Sequence, residues 1–172
     1  MAGESEIVAA LKSVQRSAVH LEMRDAYTPD DPDFADWRAG KREGIAERSG
    51  WWSDLIRATV ARGVRVRRAR IVSEPVTEYI RFEYDVTADH NVAAGEEVRW
   101  LPRRQASDLA LPGNDFWLFD EQRVIFNHFA GDGTWPDDGI ELRDDPAVAK
   151  LCASAFDAVW ERAVPHEDYR PT

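Results

Sequence analysis

Apolar positions along the chain change period several times, and each change marks an element. In Ser5–Arg16 the residues Ile7, Leu11 and Val14 fall at helical spacing. From Ala18 to Ala26 the period drops to two: Val19, Leu21 and Met23 alternate with His20, Glu22 and Arg24. That predicts a half-buried strand. Thr28–Gly50 is rich in Asp, Pro and Gly without a sustained apolar period, and reads as a long loop with a helical turn around Phe34–Trp37. Trp52, Leu55, Ile56, Thr59 and Val60 then make one helical face, closed by Gly63.

Val64–Val72 reads as a strand. Ser73-Glu74-Pro75 reads as the capped start of a helix running to about His90, with Gly95 in the turn after it. Glu97–Leu101 is a short strand stopped by Pro102. The stretch LPGNDFWLFDEQRVIFNHF predicts a hairpin: a buried strand FWLFD, a two-residue turn at Glu121-Gln122, and a second strand RVIFNHF. Ala130–Gly133 is a turn, and Gly139–Leu142 one more strand. Asp144-Asp145-Pro146 opens the last helix, whose stripe Val148, Leu151, Cys152, Ala155, Phe156, Val159, Trp160 and Ala163 ends before Pro165. Strands interleaved with helices predict a single α/β domain over residues 1–172, with helices packed on a mixed β-sheet.

Charge sharpens this picture. The net charge of −10 argues against nucleic acid and anionic membrane as partners. The acid is unevenly spread, however: Arg57, Arg62, Arg65, Arg67, Arg68 and Arg70 all lie between Asp54 and Glu74, where no acid falls. On a strand, arginines at 65, 67, 68 and 70 divide between the two sheet faces. A buried arginine needs an acidic partner or a bound anion. Internal ion pairs are the better reading in so acidic a chain, with Glu22, Glu74, Asp120 and Glu141 as candidate partners.

The single cysteine, Cys152, rules out an intramolecular disulfide and sits on an apolar stripe as an inert thiol. With an acidic N-terminus and no apolar run long enough to span a bilayer, these features predict a soluble cytoplasmic protein.

Few residues point to chemistry. No two histidines stand at metal-ligand spacing, and the acids of GDGTWPDDGIEL miss a calcium-loop pattern, so neither metal nor cofactor is expected. Glycine-rich phosphate loops and nucleophile elbows are missing from the sequence. What remains is Asp120, closing an apolar strand, and His128 on the next one. Trp51 and Trp52 form an adjacent pair that one core pocket cannot hold, so one of them should lie on the surface.

The phrases SAVHLEMRDAY, RIVSEP and DFWLFD resemble an actinobacterial family of unknown function, over about Ser17 to Tyr169. Members of that family often lie beside antitoxin-like helix-turn-helix regulators. More distantly, the order of elements resembles one half of a phospholipase-D-like domain. In that superfamily a strand carries His-x-Lys-x-x-x-x-Asp, with a nucleophilic histidine, a phosphate-binding lysine and a supporting aspartate. Setting Asp120 on the motif aspartate places Asp115 on the lysine and Gly113 on the histidine. The resemblance therefore implies a fold emptied of its phosphodiesterase chemistry.

The leading expectation is a non-enzymatic regulatory or protein-interaction domain. It would act with a helix-turn-helix regulator, with Trp51, Trp52 and the preceding loop as contact surface and direct nucleic-acid binding set aside. Analogy with the paired halves of the superfamily adds a possible homodimer. The alternative is a phosphate or small-anion binder, or an enzyme, using Arg68 or Arg70 with Asp120 and His128. It requires those side chains to converge on an open pocket.

Overall fold

The computed structural model describes residues 2–172. The elements are α1 (Ala2–Ser13), β1 (Ser17–Glu22), α2 (Pro32–Arg38), α3 (Glu43–Ala61), β2 (Arg65–Val72), α4 (Glu78–His90), β3 (Glu97–Pro102), β4 (Asp115–Phe119), β5 (Arg123–Asn127), β6 (Ile140–Arg143), α5 (Pro146–Arg162) and β7 (Val164–Pro165). The strands form one seven-stranded mixed sheet in the order β6-β5-β4-β1-β2-β3-β7. Strands β1, β2 and β3 run parallel, joined by helical crossovers, and the remaining neighbours pair antiparallel. This is the layered α/β domain that the alternation predicts.

The pleat sorts side chains to two faces. Val19, Leu21, Ala69, Ile71, Phe116, Leu118 and Val124 pack against Cys152, Phe156 and Val159 of α5. On the other face Ala18, Val66, Trp117, Phe119 and Ile125 meet Leu11 of α1 and Ile56 of α3. Further along this second face the strands carry His20, Glu22, Arg68, Arg70, Asp115 and Asn127, all buried.

Several boundaries differ from those the sequence predicts, each for a local reason. The expected loop 28–50 contains α2 and the first turns of α3. Asp31 caps α2 by accepting from the amides of Asp33 and Phe34, with Pro32 in the first turn. Arg48 then bonds Asp33 at 2.5 Å and Asp36 at 2.6 Å, tying α2 to α3. Phe34 and Trp37 of α2 and Ile45 of α3 pack with Tyr79 and Phe82 of α4, too few apolar positions to show a period, so a search for period misses these helices.

Strand β1 ends at Glu22 rather than Ala26, because side chains take the next backbone groups: Asp115 accepts from the Met23 amide, and Arg103 donates to its carbonyl. Ser73 does not cap α4, being bonded through amide and hydroxyl to Asp25; Thr77 caps it by accepting from the Ile80 amide. The hairpin turn centres one residue earlier than expected. Asp120 and Glu121 have φ of 52° and 59°, and the Gln122 amide donates to the Phe119 carbonyl. Both central residues in the left-handed region is the geometry that matches strand twist, and aspartate tolerates it better than most residues.

Candidate functional site

The second face of the sheet holds a buried polar cluster. It exists because β1 and β2 place charged residues at alternate positions, and the parallel register sets His20 opposite Arg68 and Glu22 opposite Arg70. Glu22 reaches both arginines. Its Oε1 accepts from Arg68 at 2.5 Å, and its Oε2 accepts from Arg70 Nε. Arg68 also donates to Glu96 at 2.9 Å, whose other oxygen accepts from Asn91 at 2.6 Å. Arg70 also bonds the Thr87 hydroxyl at 2.6 Å and the Glu83 carboxylate at 2.5 Å, both on α4. Arg68 lies over the Trp117 ring and Arg70 over Trp100, so each guanidinium is roofed by an indole.

Burial by itself would push the Glu22 carboxyl up, but Arg70 and Arg68 outweigh it and hold the group below its ordinary range. Glu83 shifts the other way, because burial exceeds what Arg70 returns. His20 stacks on Trp117 at 4.2 Å, and burial drives its pKa down to about 3, so the ring is neutral. The expected arginine partners are thus corrected: Glu22 serves both, while Glu83 and Glu96 replace Glu74, Asp120 and Glu141. Glu74 accepts instead from Tyr169 at 2.7 Å.

Asp115 is buried on the same face, paired across the sheet with Asn127. Its Oδ2 accepts from the Tyr27 hydroxyl at 2.5 Å and its Oδ1 from the Met23 amide at 2.8 Å. Burial raises its pKa to about 6 despite these donors. Tyr27, which sequence pattern does not single out, therefore covers this aspartate. Only a tyrosine following a strand end in an acidic, aromatic stretch hinted at it.

Asp120 lies at the opposite end of the β4–β5 hairpin. Its carboxylate accepts from the amides of Gln15, Arg16 and Ser17 at 3.0, 2.7 and 3.0 Å. Burial opposes the charge, but these donors hold the carboxyl below the usual range. It is a clasp between the turn and the entry to β1. His128 follows β5 at the other end of the hairpin, half-buried, with Nε2 2.9 Å from Glu141. The structure therefore brings Arg68 and Arg70 together, sets Asp115 beside their cluster, and places Asp120 and His128 apart from both and from each other. The convergence that an enzyme using Arg68, Arg70, Asp120 and His128 requires is not formed. Trp51 is 48% exposed, whereas Trp52 packs on Trp117, so the pair divides between surface and core.

Residues 5–171 match a family described as a domain of unknown function, DUF6879. The chain belongs to that family. No curated protein matches it. Among solved structures, the chain is similar to Nuc from Salmonella typhimurium, a phospholipase D family member, with TM-score 0.53 and 12% identity over 97% of this chain and 90% of that one. NucT from Helicobacter pylori gives 0.51 and 11% over 95% and 91%. The archaeal chromatin protein TrmBL2, whose structure shows a novel mode of DNA binding, gives 0.52 and 16% over 94% of this chain. The chain spans about half the length of TrmBL2, 50%. At such identities the likeness establishes the phospholipase-D-like fold and nothing further.

One expectation is overturned. The partner reading, a helix-turn-helix regulator or a second copy with direct nucleic-acid contact set aside, gives way before a structural neighbour that is itself a DNA-binding chromatin protein. Net charge alone does not set nucleic acid aside, because a ligand meets the local distribution of charge. Among the described residues no helix is long and apolar enough to cross a membrane.

Proposed function

We propose that this domain is a non-hydrolytic member of the phospholipase-D-like fold that works by binding, with nucleic acid as its ligand. The observation that carries the first half is Asp115. In the motif frame it stands where a phosphate-binding lysine belongs, buried and bonded to Tyr27 and the Met23 amide. Gly113 stands where the nucleophile belongs. A carboxylate there repels a phosphodiester, and a glycine supplies no attacking atom.

The second half is supported by the chromatin-protein neighbour and by a concentration of cations at one end of the sheet. Lys12, Arg16, Arg62 and Arg65 are exposed there, with Arg65 also held by Glu97 at 2.6 and 2.9 Å. Arg62 donates to the Leu11 carbonyl at 2.6 Å, and the Arg65 amide to the Arg16 carbonyl at 3.0 Å, which draws the four together.

The test is fluorescence anisotropy with a labelled DNA duplex over a salt series, beside hydrolysis of bis-p-nitrophenyl phosphate. Binding that weakens with salt and no hydrolysis are expected. The charge reversal R16E/R62E/R65E should weaken binding about tenfold or more. Turnover of the diester, or salt-insensitive binding indifferent to the reversal, contradicts the reading.

A further inference from the structure

Beyond any nucleic-acid surface, the Asp115 region has been recast in charge as well as in shape. The cluster holds four carboxylates, Glu22, Glu83, Glu96 and Asp115, against the two guanidiniums of Arg68 and Arg70. Arg68 and Arg70 engage the first three, and Asp115 is left with only neutral donors.

One polar atom of this cluster, Asn127 Oδ1, has no hydrogen-bond partner among the described residues. Its residue is 5% exposed, so water does not serve it freely. A buried unsatisfied polar atom in a native fold calls for an explanation, such as a missing ligand. Asn127 is the cross-strand partner of Asp115, and its amide nitrogen is 3.5 Å from His20 Nε2. With His20 neutral and Nε2 accepting there, its Nδ1 carries the proton and faces Glu22 Oε1 at 3.3 Å. Asn127 Oδ1 is left as an acceptor, and an acceptor asks for a donor.

On the other side of Tyr27 lies a cavity of about 310 Å³, lined by Tyr27, Tyr79, Phe34 and Arg24. Tyr27 is shared between the two spaces: its ring lines the cavity and its hydroxyl rests on Asp115. Aromatic walls, with Asp132 in the lining and Asp115 behind the Tyr27 hydroxyl, favour a cation. The chain already supplies one at the rim, where the Arg24 guanidinium sits 5.0 Å above the Phe129 ring.

We propose that this cavity is a binding site for a compact organic cation, an ammonium or guanidinium group. Its charge meets Asp115 and its N–H donors meet Asn127 Oδ1 once the Tyr27 hydroxyl swings aside. Arg24 acts as the internal competitor at the mouth.

Isothermal titration of the full chain with agmatine, which carries both cationic groups, tests this, with inorganic phosphate as the contrast. Saturable agmatine binding is expected, weakened at least about tenfold in Asp115→Asn and strengthened in Arg24→Ala, with no phosphate binding to either protein. Asp115→Asn keeps the size of the side chain and removes a buried charge, so it should fold; circular dichroism checks this. Phosphate binding in place of agmatine, no saturable agmatine binding by wild type or Arg24→Ala, or equal binding by Asp115→Asn would each overturn the proposal.

Discussion

The two faces of the sheet solve the same packing problem by opposite means. The α5 face is an apolar jigsaw in which Phe156, Val159 and Cys152 meet Leu21, Ile71 and Leu118. The other face begins in the same way under α1 and α3, then turns into a lattice of carboxylates and guanidiniums roofed by indoles. Apolar packing loses stability in proportion to the atoms removed and tolerates repacking. A charge lattice is all-or-none, because deleting one member strands its partner in a medium that cannot solvate it. The first face supports the fold; the second both supports it and fixes which side chains can stand beside Asp115.

Substitutions on the two faces should separate these modes. The largest effect is expected for Glu22→Gln, which leaves Arg68 and Arg70 short of a shared counter-charge and should cost about 3–5 kcal/mol in urea unfolding. Replacing the lattice together, as E22L/R68M/R70M/E83Q/E96Q, so that neither Glu83 nor Glu96 is left charged without its arginine, should recover much of that loss. If the combined variant is no better than the single one, the lattice interpretation fails.

Phe156→Ala on the opposite face should cost about 3 kcal/mol, at the low end for such a truncation, since the Arg67 guanidinium over the ring can settle into the space. A much larger loss would show that this face is no more forgiving than the other.

Next comes Asp115, whose folded-state pKa of about 6 lies above its ordinary 3.8. Between those values the folded state binds more protons than the unfolded state, so this group's contribution to stability falls as pH rises through the window. Asp115→Asn should therefore be more stable than wild type by about 1–3 kcal/mol at pH 7, with the difference vanishing near pH 4. Glu22 and Asp120, held low, give wild type and variant the same opposite slope and cancel in the comparison. Equal gains at both pH values would refute the assignment. The smallest change is expected at Trp51, where truncation to alanine should move unfolding by less than about 0.5 kcal/mol.

Much of the architecture was legible in advance because local chemistry and global fold agree. Asp145 and Pro146 start α5 as the sequence predicts, Gly63 adopts φ 87° after α3, and the arginines of β2 divide by alternation. The lattice was only half legible. Glu22 could be found as a strand neighbour, whereas Glu83 and Glu96 come from elements whose placement no local pattern encodes. A signal did exist: Tyr79, Glu83 and Thr87 recur at intervals of four, a polar stripe on a helix facing two arginines. Tyr27 was invisible for another reason. Its partner lies 88 residues away, and a loop residue's reach is set by backbone geometry rather than by period.

The clasp at Asp120 bears on how the chain is made. It bonds residues 15–17 across more than a hundred positions, and the first strand lies in the middle of the sheet, between β4 and β2. On the ribosome β1 can find β2 early, but its other edge stays bare until residues 115–120 emerge. For most of synthesis the nascent protein carries an open parallel edge ready to pair with a neighbour. Completion of the fold thus waits on a late hairpin, and slow translation or weak chaperone cover should be felt first at that seam.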